Sequence, residues 1–190
     1  MTSELIGYIP EDAEVREILM NENSDEIFYM FKANFRGIDM DVSISSYTYD
    51  GAKGTVKIIG SYCTMKCTDD DGKTVHVPYI YAVDISEVDD DTPLTNKVSF
   101  NIRITKTYKY LITEQGLELL FLFGTVLNVF NGIEVYKICL KGANARKYKN
   151  CAKGTSFTAT AYLKSYGKGI EFIVDEILDE EQETKLMKEI

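Results

Sequence analysis

The sequence has no tryptophan, a single histidine (His76) and only three prolines in 190 residues. It also has no apolar run of the roughly 18 residues that a membrane span needs. Each shortage excludes something. With one histidine, no nucleophile motif and no phosphate-binding glycine loop, the chain offers no catalytic constellation, so it is read as a non-enzyme without a cofactor. Cys63, Cys67 and His76 supply three zinc ligands at best, where a structural site needs four, so no metal is expected. The longest apolar stretch, Leu117 to Val129, carries Glu118 and is read as a buried strand, not a membrane segment. Glycine and proline are too scarce for a collagenous or low-complexity chain. Met1 to Tyr8 lacks a basic leader, so Cys63, Cys67, Cys139 and Cys151 are read as reduced thiols of a cytoplasmic protein. Positive charge is in deficit too: 21 Lys/Arg against 30 Asp/Glu give a net −9, which for the chain as a whole argues against a nucleic-acid binder.

What is present is aromatic and unevenly charged. Thirteen tyrosines and nine phenylalanines suit half-buried, pleated surfaces. Residues 1–94 hold 7 basic and 19 acidic residues, net −12, whereas residues 95–175 hold 12 and 5, net +7. The average hides an acidic half, a basic half and an acidic tail.

The two halves echo each other. Phe35-Arg36-Gly37-Ile38-Asp39 matches Phe130-Asn131-Gly132-Ile133-Glu134 at an offset of 95. Ala52-Lys53-Gly54-Thr55 matches Ala152-Lys153-Gly154-Thr155 at 100, and Tyr81-Ala82-Val83-Asp84 matches Phe172-Ile173-Val174-Asp175 at 91. Three matches in one order mark an internal repeat. In the second half, alternating strands are expected from Asn96, over Leu117–Phe130, Ile133–Lys141, Ser156–Tyr166 and Ile170–Ile177. A short helix over Ala143–Asn150 separates the third and fourth, and Thr107–Gln115 is taken as loop and strand continuation. Asn131-Gly132 reads as a two-residue hairpin turn, which needs positive φ at both positions. Strand, turn, strand, helix, strand, loop, strand is the back end of an OB-fold barrel. The first half repeats it, with strands at Leu5–Ile9, Ile27–Asn34, Ile38–Ser45, Gly54–Met65 and Val75–Val88. Glu11–Met20 is an irregular or briefly helical link, and Asp69-Asp70-Asp71-Gly72 is a turn. The fold class is therefore all-β with short helices: two tandem five-stranded OB barrels. The division is an acidic N-terminal domain 1–91, a linker 92–95, a basic domain 96–178 and an acidic tail 179–190.

Period-2 parity then sorts side chains by face. Tyr136, Ile138 and Leu140 form a core set, leaving Val135, Lys137, Cys139 and Lys141 on the open face. Phe157, Ala159, Ala161 and Leu163 point inward, leaving Tyr162, Lys164 and Tyr166 outward, with Lys168 in the following turn. Arg103 is on the outer parity, and Lys106, Tyr108, Lys109 and Tyr110 are placed in the loop beyond it. Interleaved cations and aromatics are what a single-strand binder needs, because cations neutralise phosphates and rings stack on bases.

Those residues also resemble the bacterial single-stranded-DNA-binding protein family. Asn96-Lys97-Val98, Glu134 to Gly142, Lys153-Gly154-Thr155 and Gly167-Lys168-Gly169 with Glu171 to Glu176 look like its strands and turns. In the first half, Gly7-Tyr8-Ile9 and Asp12-Ala13-Glu14-Val15-Arg16 resemble its opening. The resemblance implies a chain with two OB domains that pairs as a homodimer to give four. It implies binding of single-stranded DNA, or RNA, through aromatics and Lys/Arg of the open sheet, in replication, recombination, repair or a mobile element, alongside replication or recombination proteins. The chain departs from the pattern where Val135 replaces a frequent tryptophan and Lys141 a frequent aromatic; Tyr166 lies near a third aromatic position. The tail lacks the family's Asp-Asp-Ile-Pro-Phe-like tip.

The leading expectation is thus binding of single-stranded DNA without sequence specificity, mainly by the second domain. Arg103, Lys106, Lys109, Lys137, Lys141, Lys164 and Lys168 would meet phosphates, and Tyr108, Tyr162 and Tyr166 would stack on bases. The competing readings are a protein-interaction OB module of a replication or conjugation system, favoured by the acidic first half, and a small-molecule or oligosaccharide-binding OB domain.

Overall fold

The computed structural model describes residues 3–19, 26–68, 71–130, 132–166 and 169–178. The chain divides into two compact units that meet in sequence between Asn96 and Lys97. Both are OB barrels.

The first unit contains β1 (Ser3–Ile9), β2 (Arg16–Leu19), β3 (Ile27–Phe35), β4 (Ile38–Ser45), β5 (Gly54–Thr68) and β6 (Thr74–Glu87). They lie in the order β1-β5-β6-β4-β3-β2, and β1 also touches β3 through Tyr8 and Asn34, which closes the barrel. The β4–β6 pair is parallel, as an OB barrel requires. Leu5, Ile9, Phe31, Phe35, Val42, Ile44, Val56, Ile58 and Ile80 fill the interior. Pro10 interrupts the first OB strand, because it has no N–H to give a ladder; a turn follows, with Ala13 N–H donating to the Pro10 carbonyl (3.0 Å). The strand resumes as β2 against β3. Glu11–Met20, expected as an irregular or helical link, is therefore half strand, and the barrel's five strands come in six pieces. Thr95, expected in the linker, is fastened to β1: Ile6 N–H donates to its hydroxyl and Thr95 N–H donates back to the Ile6 carbonyl, both at 2.9 Å.

The second unit is a closed five-stranded barrel of β7 (Lys97–Ile112), β8 (Glu118–Leu127), β9 (Ile133–Lys141), β10 (Ser156–Tyr166) and β11 (Gly169–Ile177), with α1 (Gly142–Tyr148) between β9 and β10. Phe100, Ile102, Ile104, Leu120, Leu122, Ile138, Leu140, Ala159, Ala161 and Phe172 form its core. Here the first strand is continuous. It accommodates curvature through two bulges against β8, at Thr105 and Tyr108, since each extra residue bends and twists a strand. Residues 106–112, expected partly as loop, are thus strand. The helix plugs one end of the barrel with buried Ala145 and with Tyr148, whose ring meets Phe157 at 5.0 Å. In the first unit the corresponding segment has no helix, and Tyr49 stacks on Phe31 at 5.0 Å.

The repeat holds in three dimensions. Gly54 (φ 73°) and Gly154 (φ 94°) both take the left-handed conformation ahead of the fourth OB strand, which a side chain would strain. Bulges fall at Ile59/Gly60 and at Thr160/Ala161, 101 residues apart. The parallel pairs Val42–Ile80 and Ile138–Phe172 give offsets of 96 and 92. Each register is one more than the sequence match proposes. The two-residue turn, however, is in the first unit: Arg36 (φ 52°) and Gly37 (φ 85°) join β3 to β4. The second-unit hairpin has a five-residue loop, 128–132, closed by Asn128 N–H donating to the Gly132 carbonyl (2.9 Å). Asn131 itself lies outside the described residues, as do Asp69, Asp70 and the tail 179–190.

Candidate nucleic-acid interface

The outer face of the second barrel can be built row by row from strand register. Lys106 on β7 is opposite Phe123 on β8, and Phe123 is opposite Lys137 on β9. One row over, Lys109 is opposite Phe121, and Phe121 is opposite Cys139. Neighbouring strands are only about 4.8 Å apart, so each ring lies between strands that carry cations. Tyr108, the residue left unpaired by the second bulge, is 62% exposed, and its ring meets Phe123 edge-on at 6.0 Å. The Lys137 ammonium stands 5.6 Å from the centre of the Phe121 ring, within cation–π range. Three half-buried or exposed rings and three lysines therefore share one surface.

Phe121 and Phe123 are the residues that parity reading passed over. Leu119 to Val126 is apolar on both faces, so alternation alone does not say which side is out. Gly124 was the available signal. A Cβ there would overlap Ile102 Cγ1 and Cδ1, so position 124 faces the core and 121 and 123 face outward.

The other expected residues scatter around this strip. Lys164 on β10 is opposite Glu171 on β11, and Glu171 holds Lys137 at 2.9 Å. Tyr162 is opposite Ile173 and lies under the Lys97 ammonium at 5.7 Å; Lys97 is itself bound to Asp175 at 2.7 Å. That hydrogen bond to Asp175 holds the Lys97 pKa above its usual value. Lys141 ends β9 opposite Leu119 and is exposed. Arg103 is opposite Thr125 and Ser156, and borders an open groove of about 510 Å³ with Asn101, Leu127 and Ile133. Tyr166 is opposite Gly169 at the end of β10; its side chain, and all of Lys168, lie outside the described residues.

Parity misassigns one member of the open face. Cys139 has the outward register but is buried, and burial, followed by the charge of Glu171, pushes its thiol pKa up. A raised pKa keeps it a protonated, unreactive thiol at neutral pH. Beyond the strip, the β8–β9 hairpin exposes Leu127, Val129, Phe130, Ile133 and Val135. Asn128 holds that tip, its Oδ1 accepting from the Phe130 and Gly132 amides (3.0 and 2.7 Å) and its Nδ2 donating to Glu134 (2.6 Å).

Two closed OB barrels in one chain define the class: a tandem OB-fold protein. The sequence matches no protein-family model and no curated protein. Among solved structures, the chain is similar to a deletion mutant of the single-stranded DNA binding protein from Thermus aquaticus. The TM-score is 0.70 at 13% identity, over 93% of this chain and 92% of that one. The wild-type Thermus aquaticus protein superposes with a TM-score of 0.68 at 12% identity, over 93% and 91%. The chain thus has the tandem OB architecture of that protein along nearly its whole length, the architecture that the sequence resemblance implies.

Proposed function

We propose that this chain binds single-stranded DNA without sequence specificity, mainly through the outer face of its second barrel. The observation that carries this reading is the strip of Phe121, Phe123 and Tyr108 set among Lys106, Lys109 and Lys137. Rings accept any base because every base has a π-face, while lysines meet the phosphates that all sequences share. The net +7 of residues 95–175 supplies the attractive field. The two Thermus aquaticus structures, named as single-stranded DNA binding proteins, support the same reading through a shared fold.

Lys106, Lys109, Lys137, Arg103 and Lys164 are the phosphate-binding group, and Phe121 and Phe123 join Tyr108 as the stacking group. Lys141 and Tyr162 flank this group, and Tyr166 and Lys168 are assigned to it from the sequence pattern alone. In the first barrel, residues 1–94 carry a net −12, which favours a structural or protein-binding role there. The process served is DNA replication, recombination or repair, or the life of a mobile element, in the cytoplasm, by a homodimer with four barrels. A labelled oligo(dT) should bind at low salt and be released steeply as salt rises. No binding at low salt overturns the proposal. An RNA oligomer of equal length tests the choice of nucleic acid, and solution mass tests the dimer.

A further inference from the structure

The proposed surface contains a group of the wrong sign. Glu171 has the outward register on β11, yet it is 6% exposed. It lies in the row Lys106, Phe123, Lys137, Glu171, Lys164, between the last two lysines. Its Oε1 sits 2.9 Å from the Lys137 ammonium. A buried carboxylate is costly unless a cation compensates it, so Glu171 pairs with Lys137 when no other anion is present. A phosphate approaching Phe123 would need the same ammonium.

Resting on the proposed DNA-binding function, we infer that Glu171 is a built-in competitor that occupies Lys137 in the free protein and sets how tightly, and with what salt dependence, this face holds a phosphate backbone. Two consequences follow. Paired with Glu171, Lys137 adds no net positive charge, so it contributes little to counterion release. Removing the carboxylate charge while keeping its shape hands one more cation to the DNA. The same pairing limits retention of the strand, which suits a protein that must let go of DNA as well as hold it.

The test is a set of oligo(dT) titrations across a salt series with wild type, Glu171→Gln and a control, Glu176→Gln, which removes an exposed negative charge from the same strand. Glu171→Gln is expected to tighten binding at low salt by roughly two- to five-fold. It should steepen the slope of log K against log salt by about 0.7, the share of one phosphate on a single strand. Glu176→Gln should change the slope by less than half as much. If Glu171→Gln does not fold, Glu171→Met, apolar and of similar length, carries the same expectation. An unchanged slope, weaker binding or an equal effect of the control overturns the inference and leaves the binding function standing. Failure of the wild-type protein to bind overturns the function itself, and the inference with it.

Discussion

On one backbone plan, the outward registers of the two barrels carry different side chains, and in the first barrel several of them are buried. In the second barrel one row reads Phe123, Lys137, Glu171, Lys164; the corresponding row in the first reads Lys32, Asp41, Tyr79, Cys63. The next row reads Lys109, Phe121, Cys139, Ile173, Tyr162 against Arg16, Met30, Ser43, Tyr81, Ser61. Where the second barrel places Lys137, the first places Asp41, which holds Lys32 at 3.4 Å and Arg16 at 3.5 Å. The two basic residues of these rows, Lys32 and Arg16, are already engaged with that carboxylate. Where the second barrel offers a half-buried ring at Phe121, the first has Met30, which is buried, beside a buried Ser43. A fold and a binding face are therefore separate decisions of the sequence: core positions preserve the barrel, and the alternate positions decide what it can hold.

The comparison breaks most directly at the rings. Replacing both Phe121 and Phe123 by alanine removes two stacking platforms, each worth roughly 1–3 kcal/mol per base. The oligo(dT) dissociation constant should rise at least thirty-fold or so, with the salt slope unchanged because no cation is lost. In the first barrel, Lys32→Ala should leave the affinity within about two-fold, since Asp41 already holds that ammonium. Equal losses from the two barrels would show that both faces bind, and no loss from the double alanine variant would remove the rings from the site.

A smaller effect is expected where the cores differ. Gly124 and Ala33 occupy equivalent places, opposite Tyr136 and Met40. Ala33 is buried without difficulty, whereas a methyl at 124 would overlap the Ile102 side chain. Gly124→Ala should therefore destabilise the second barrel by roughly 1–3 kcal/mol, the usual cost of overpacking, and urea unfolding followed by circular dichroism would read it. A stability equal to wild type would mean that Ile102 moves aside at no cost.

How much of this is legible in the sequence depends on how each stretch divides its two faces. Ile38–Ser45, Ile133–Lys141 and Ser156–Tyr166 have the same bounds in sequence and structure, because each alternates apolar with polar and is bounded by glycine-containing turns. Pro10 and the cluster of charges in Glu11–Met20 hide the strand Arg16–Leu19, which pairs on one side only. Lys106 to Tyr110 looked like loop because two bulges shift the alternation twice within a few residues. Phe121 and Phe123 escape parity because Leu119–Val126 is largely apolar on both faces, so a period of two has little to contrast. Cys139 and Glu171 show the remaining limit. Parity gives the side of a sheet, but burial depends on neighbours from strands far away in sequence, here β11 folding back between β9 and β10.

The smallest effect concerns how each barrel closes its end. In the second, Arg146 of α1 grips Glu118 of β8, with Nε 3.0 and 3.1 Å from the two carboxylate oxygens and Nη2 2.9 Å from one of them. The Arg146 hydrogen bond holds the Glu118 pKa below its ordinary value of 4.5, with burial opposing and Tyr110 assisting. A carboxylate with a lowered folded-state pKa stabilises the fold above its unfolded pKa, and that contribution is lost as pH falls through the folded value. The first barrel's equivalent segment has Tyr49, whose hydroxyl donates to the Ala52 carbonyl at 2.8 Å, a contact that does not titrate in acid. Amide hydrogen exchange should separate the two. At neutral pH, Glu118→Gln should speed exchange in α1 slightly and leave residues 46–53 untouched. As pH drops below the carboxylate range, wild type and Glu118→Gln should converge, because protonation removes from wild type what the substitution has already removed. A difference in α1 that persists undiminished in acid would mean that the substitution acts through something other than the charge of Glu118, and no difference at neutral pH would mean that Ala145 and Tyr148 hold the helix without the ion pair.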